Sequence, residues 1–355
     1  MLKTTLMASL LSLSYEAYPM DHVKKSTHYS SSDSRFINVP TESKFQQMGL
    51  MDTLGIIKTM LLDKDTRIPE GKLEEVKPDM AAFLAPSTHT KFIWLGHSTL
   101  LLNLDGKIVL IDPVFSDYAF SIDIFVKRFQ DAALKLEELP HIDAILISHN
   151  HYDHLDKKTI QFFKDKDTRF ILPLKVGDDL LDWGIPKERF VELDWEDSVT
   201  EFGIKFTATP AQHFSGRGLF DKNKSLWASW VIESKNDKIF YSGDSGYSNH
   251  FKQIGDKYGP FDVTFIENGQ YNERWADIHM LPEESIQAHI DLKGKYYVPV
   301  HWGMFNLALH NWVEPVERTY KLAQDKKLSY LSPKLGEIIN LENVSLDLPW
   351  WKKSK

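Results

Sequence analysis

Three histidines and two aspartates fall within the ten residues from Ile147 to Asp156, "ISHNHYDHLD", directly after an apolar run. Imidazole and carboxylate together suit a first-row divalent cation, zinc foremost, with iron and manganese as competitors. As surface decoration the cluster would have little purpose. As core it would bury imidazoles without partners, which is costly. One loop cannot complete such a site, so further ligands must come from elsewhere. His213 follows "FTATPAQ", Asp244 follows "KIFYSG" and His301 follows "YYVPV". Each stands where an apolar, strand-like run stops. Strand ends gathered at one sheet edge aim several side chains at a common point.

The spacing divides the ligands. Residues two apart on an extended segment point to one side, so His149 and His151 would chelate one ion. Asp153 and His154 begin the next turn and are offset, which suits a second ion. His213 and His301 would complete one each, and Asp244 would bridge them. Singly, each has a plainer reading. A lone His after a strand is more often satisfied or solvated, Asp244 after Gly243 fits a turn, and Asp153 fits a helix N-cap. The weight rests on the ordered set. His289 sits inside a predicted helix and His310 follows the last motif without matching spacing, so both are read as structural.

The elements that must position these residues read as strands with helices between them. "KFIWLGHSTLLLNLDGKIVLIDPVF" gives a strand and then a hairpin at Asp105-Gly106, a two-residue hairpin signal. "IDAILISH", "RFILPL", "VTEFGIKFTATPAQH", "SLWASWVIES", "DKIFYSGDS", "FDVTFIENG" and "KYYVPVHWG" read as further strands. "LDKKTIQFFKD" has helical spacing. "LPEESIQAHIDL" opens a helix with Pro282 and an acidic first turn. The alternation predicts an α/β architecture of two sheets with helices outside.

Composition sets limits. With no cysteine in 355 residues, disulfides, thiol nucleophiles and thiolate metal sites are excluded. A formal net charge of -8 argues against nucleic acid as a partner. Residues 1–89 read as an N-terminal arm and helical segment packing on a body at 90–340, with a tail at 341–355. Met1–His22 fits a plain N-terminal helix or arm better than a signal segment, being broken by Thr and Ser before Glu16. Residues 24–45 read as an extended arm and 45–65 as a helix. Met48, Leu50, Met51, Ile56 and Leu61 of that helix pack on the body, or alternatively face a membrane. The expected location is cytoplasmic or peripheral to a membrane, and an oligomer is compatible with the sequence.

At these residues the chain resembles the metallo-β-lactamase fold superfamily, and within it the branch of N-acyl-phosphatidylethanolamine-hydrolysing phospholipase D and its bacterial relatives. The resemblance spans residues 90–320 through "WLGHSTLLL", "IDPVFS", "SHNHYDHLD", "ELDWEDS", "TPAQHFSGR", "LWASWVI", "GDSGY", "HMLPEES" and "VHWGMF". It implies a metallo-β-lactamase-like αββα four-layer sandwich with two zinc ions between the sheets. His149, His151 and His213 would hold one ion, Asp153, His154 and His301 the other, with Asp244 bridging. It also implies that His279 lies near a substrate phosphate. Asp153, Asp244 and His279 are thus the expected catalytic residues, with His97 and Asp112 behind the ligands. Two such ions would activate a water for in-line attack on phosphorus. The implied substrate is a phospholipid of the N-acylphosphatidylethanolamine type. A small soluble phosphate ester or a sugar-phosphate lactone is the alternative, and a non-catalytic metal-binding role comes third. Ile278 and Leu281 depart from the mammalian lipid enzyme's Gln and Asp beside that histidine, so the lipid assignment is weaker than the metal chemistry.

Overall fold

Apolar runs such as KFIW, LLLNL and KIVLI lack polar alternation, so the strands they form need cover on both faces. The computed structural model describes residues 20–39, 55, 66–120, 126–345 and 349–354. It provides that cover with two seven-stranded sheets packed face to face and helices outside them. This is the αββα sandwich expected from the sequence.

The first sheet has the order β16-β3-β4-β5-β6-β7-β8. Its strands are β3 (Lys91–Trp94), β4 (Leu100–Leu104), β5 (Lys107–Ile111), β6 (Ala144–Leu146), β7 (Arg169–Pro173), β8 (Phe190–Leu193) and β16 (Ile338–Asn340). The second has the order β15-β14-β13-β12-β11-β10-β9. It comprises β9 (Ser198–Glu201), β10 (Ile204–Thr209), β11 (Ser229–Glu233), β12 (Lys238–Tyr241), β13 (Phe261–Glu267), β14 (Gly294–Val300) and β15 (Ser329–Tyr330). A two-stranded ribbon, β1 (Tyr29–Ser30) with β2 (Arg35–Phe36), stands apart from both.

The period-2 geometry of a strand sorts the side chains. Phe92, Trp94, Leu100, Leu102, Val109 and Ile111 join the core that includes the second sheet. Phe92 meets Phe265 edge-on at 4.9 Å across the gap. Their neighbours Ile93, Leu101, Ile108, Leu110 and Ile145 face the other way. There they meet Ile160 and Phe163, at the α3 helix (Lys157–Phe162), and Leu180 of α4 (Gly177–Asp182). The remaining helices are α1 (Met20–Lys25), α2 (Met80–Leu84), α5 (His250–Lys257), α6 (Pro282–Asp291) and α7 (Glu314–Asp325). α6 packs on β13 and β14. Trp350 and Trp351, near the C-terminus, are fully buried.

Strand direction positions the site. β3 and β5 are each antiparallel to β4, and β6 is parallel to β5, so β3, β5 and β6 run the same way. β10 and β12 are each antiparallel to β11, and β13 and β14 continue parallel to β12. The six strands that lead into His97, Asp112, His149, His213, Asp244 and His301 are therefore co-directional within their own sheet. The sheets are tied at that edge by the backbone, where His301 N–H donates to the carbonyl of His97 at 2.9 Å.

Local differences from the sequence reading have simple causes. The run before the hairpin is two strands, β3 and β4, separated by a turn at Gly96-His97 where both residues have positive φ. "VTEFGIKFTATPAQH" is likewise a hairpin, β9–β10, turning at Phe202-Gly203 with φ 56° and 82°. Phe202 hid the turn because an aromatic residue rarely adopts that conformation. The arm at 24–39 forms the end of α1 and the β1–β2 ribbon. The 45–65 helix and the Met48 to Leu61 stripe lie outside the described residues, apart from Gly55, which is helical. Among the described residues no helix is long and apolar enough to cross a membrane.

The Asp105-Gly106 turn joins β4 to β5 with φ 54° and 83°. A Cβ on Gly106 would meet nothing within 4 Å, so substitution there acts through the backbone alone. Gly106→Ala should lower stability by about 1 kcal/mol, read by urea denaturation, with metal content unchanged.

Candidate metal centre

The ISHNHYDHLD loop leaves β6 and turns back at once, the amides of His154 and Leu155 both donating to the carbonyl of His151. Asp156, not Asp153, caps the following helix by accepting from Lys158 N–H at 3.2 Å. Asp153 is thereby left to face the site. His213 follows β10, Asp244 follows β12 through Gly243, and His301 follows β14. Gly243 has φ 54°, and a Cβ there would sit 2.7 Å from Cβ of Ser148 and 2.9 Å from the Ala228 carbonyl. Only glycine lets the Asp244 turn close onto the histidine loop.

Two groups of ligand atoms result. In the first, His149, His151, His213 and Asp244 each offer an atom within 4.8 Å of the others. His149 Nε2 and His213 Nε2 lie 2.9 and 3.3 Å from His151 Nδ1. The same two nitrogens lie 3.8 and 3.7 Å from Asp244 Oδ2. Bonds of about 2.0–2.1 Å at tetrahedral angles need ligand atoms about 3.3 Å apart. In the second group are His97, Asp153, His154 and His301. His154 Nε2 lies 3.7 Å from Asp153 Oδ2 and 3.2 Å from Asp244 Oδ2, and His301 Nδ1 lies 3.3 Å from Asp244 Oδ1. Asp244 thus touches both groups, Oδ1 facing His301 and Oδ2 facing His149, His154 and His213.

The electrostatics fit a cation. Burial drives His149, His213 and His301 well below the ordinary imidazole range and His151 down to about 4, leaving them neutral with lone pairs to give. Burial would raise Asp153 and Asp244, but the facing imidazoles, His154 foremost, hold both low. Burial opposes charge on His154 too, yet Asp244, Asp153 and Asp112 outweigh it and raise it. The site therefore draws positive charge to His154, where a metal would displace the proton. His154 Nε2 and Asp244 Oδ1 are buried without a hydrogen-bond partner. Each orphan costs about 1–3 kcal/mol, a cost that ligation to a cation removes. The donor set is suited to binding metal.

Groups behind the ligands set their orientation. Asp112, fully buried, accepts from His154 Nδ1 at 2.7 Å, from the Tyr241 hydroxyl at 2.5 Å and from the Ser148 amide at 2.7 Å. It fixes the His154 proton on Nδ1 and so turns Nε2 into the site. His213 Nδ1 donates to the carbonyl of Ile278 at 3.0 Å, with the same effect. His97 Nε2 lies 2.9 Å from Asp153 Oδ2. His279 joins Asp244 and His301 in a third group, its ring stacked on that of His301 at 5.3 Å. His289 and His310 are elsewhere, against Thr264 and Tyr271.

Two functional side chains escaped the sequence reading. Arg217 donates from Nη1 to the carbonyls of Asn150 and Leu155 at 2.8 and 2.7 Å, with its guanidinium 4.0 Å over the Tyr152 ring. It staples the histidine loop from outside, and no spacing rule points to it. Glu267 ends β13, fully buried, with Oε2 3.5 Å from His279 Nδ1. Burial pushes it up to about 7, with His279 drawing it back. The signal was available, because a carboxylate closing an apolar strand is what singled out Asp244.

The ligand groups form one wall of a cavity of about 620 Å³. Phe120, Phe214, Leu219, Trp275, Ile278 and Leu307 supply apolar lining, and Arg217 a cation.

A family model described as a beta-lactamase superfamily domain matches residues 107–302. The chain belongs to that superfamily. An uncharacterized protein of Mycobacterium tuberculosis is 43% identical over 264 residues, covering 73% of this chain and 71% of its own. N-acyl-phosphatidylethanolamine-hydrolyzing phospholipase D 1 of Caenorhabditis elegans is 33% identical over 264 residues, 69% of this chain and 74% of its own. The solved structure of Igni18, a metallo hydrolase from the archaeon Ignicoccus hospitalis, superposes with a TM-score of 0.57 at 19% identity. That match covers 73% of this chain and all of the other. Superfamily membership and the His/Asp clusters make this chain a metal-dependent hydrolase of the metallo-β-lactamase fold.

Asp112→Asn keeps the shape but puts an N–H donor where His154, Ser148 and Tyr241 need an acceptor. Metal affinity should fall about 10- to 100-fold, read by chelator competition with elemental analysis. Loading the stripped wild-type chain with metal at 100 times Kd should raise its unfolding free energy by about 2.7 kcal/mol.

Proposed function

We propose that the chain is a dinuclear metal-dependent phosphodiesterase of the phospholipase D type, acting on phospholipids of the N-acylphosphatidylethanolamine class. One observation carries the reading. The two ligand groups open into a single cavity whose other walls are largely aromatic and aliphatic. A polar ester has to meet the His/Asp wall while something apolar fills the rest, as in a lipid with its headgroup ester at the metal end. The likeness to the nematode phospholipase supports the same substrate class.

His149, His151 and His213 would hold one ion and Asp153, His154 and His301 the other, with Asp244 shared. Bound there, a zinc pair would supply Lewis acidity toward a phosphoryl oxygen and a water acidified near neutral pH. The chain's own residues do the rest. Asp153 and Asp244 hold the negative charge that draws the ions in, and Asp112 and the Ile278 carbonyl keep the imidazoles aimed. His279, beside His301 and lining the cavity, is placed to shuttle a proton to the leaving alcohol. Apolar walls exclude water around the ester. Ile278, where the mammalian lipid enzyme has Gln, adds to that apolar surface, so headgroup contacts differ here.

Asp244→Asn should fold, bind metal more weakly and lose activity by more than about 100-fold. Near-wild-type turnover in that variant would sink the dinuclear reading. Substrate class is decided by assaying the metal-loaded protein on a phospholipid panel, soluble phosphodiesters and sugar-phosphate lactones side by side. The expected result is release of N-acylethanolamine from its phospholipid at a kcat/KM at least about tenfold above either soluble class. A preference for lactones or small esters would reassign the substrate and leave the metal site standing.

A further inference from the structure

Glu267 has a fully buried carboxylate that is incompletely satisfied. Oε1 accepts from the Met280 amide at 2.6 Å. Among the described residues Oε2 has no hydrogen-bond partner, and His279 Nδ1 faces it 3.5 Å away, itself buried and unpartnered. Two orphaned polar atoms facing one another inside a protein are expensive to maintain unless they serve each other.

Both partners are held in place. The Glu267 amide donates to Ser242 Oγ, and its carbonyl accepts from Ser285 Oγ, each at 2.9 Å. The loop carrying His279 is tied to the metal-centre loops by Gln212 Nε2 donating to the Asp277 carbonyl at 2.7 Å, and by His213 Nδ1 donating to Ile278. Nδ1 is buried, whereas the His279 side chain keeps 13% exposure and lines the cavity. The exposed part of the ring is therefore the side away from Glu267.

We infer that Glu267 is a positioning residue that holds the His279 proton on Nδ1, which leaves Nε2 as the only ring atom able to exchange a proton with a substrate in the cavity. In its ionised form, which the facing imidazole favours, the carboxylate can only accept, so it selects the Nδ1–H form. The inference rests on the reading that His279 faces substrate, and it holds whichever ester is cut.

The sharpest variant is Glu267→Gln. The Met280 amide claims the side-chain oxygen, so the new –NH₂ is turned toward Nδ1. Donor then meets donor, and the imidazole must move its proton to Nε2. Long-range nitrogen–proton NMR correlations on the full chain, metal-free and zinc-loaded, read the tautomer directly. The wild type should show Nδ1–H at His279, and Glu267→Gln should show Nε2–H. In the substrate assay, Glu267→Gln should lower kcat about 10- to 100-fold with KM within about twofold and metal stoichiometry unchanged. His279→Ala should make the Glu267→Gln loss vanish, because the carboxylate acts only through that ring.

An Nε2–H tautomer in the wild type, no tautomer change in the variant, or additive losses in the double variant would each overturn the inference. If Glu267→Gln does not fold, the wild-type spectrum still decides. A different preferred substrate would overturn the phospholipid reading while leaving the tautomer result unaffected.

Discussion

A carboxylate sealed from water among imidazoles sets the terms for the rest of this molecule. Asp244 is nearly inaccessible and has His149, His154, His213 and His301 within 3.2 to 3.8 Å. Those side chains come from three separate loops, yet they converge on one group. Nothing among the described residues neutralises and satisfies all of them together. His154 Nε2 and Asp244 Oδ1 remain orphaned. Such a concentration of uncompensated donors is unfavourable to the fold alone, and it becomes favourable with cations bound.

The architecture follows from bringing those loops together. Co-directional strands deliver their C-terminal ends to a shared edge, and the His301–His97 backbone bond closes the two sheets there. Close approach is then limited by the smallest residues, with Gly243 letting the Asp244 turn sit against Ser148. Behind the ligands, buried acceptors such as Asp112 and the Ile278 carbonyl choose which imidazole nitrogen points inward. Metal binding would depend on this outer layer as well as on the histidines themselves, because a histidine with the wrong tautomer cannot bind metal.

Cavity and catalytic wall also divide the chemistry between them. The His/Asp wall is delivered by strand ends, whereas the apolar walls come from loops outside the strands, at Phe120, Phe214, Leu219 and Trp275. The proposed substrate surface thus lies on loops rather than on the strands that deliver the His/Asp wall.

The His and Asp residues that the structure gathers were legible in the sequence because each follows an apolar run, and the period-2 rule pairs His149 with His151. The two-sheet class was legible from the same runs, and the Asp105-Gly106 turn from its residue types. The Phe202-Gly203 turn was not, since an aromatic in a left-handed conformation carries no local signal. Arg217 was not, because its partners are the main-chain carbonyls of Asn150 and Leu155, which any residue could present. The sequence by itself determined the donor set, its order along the chain and the strands that carry it, since these depend on residue type and local period. Only the tertiary structure decided which carboxylate lies between the ligand groups, which acceptor orients each imidazole, and that Glu267 faces His279. Those pairings depend on distances between residues far apart in the chain, and packing alone sets them.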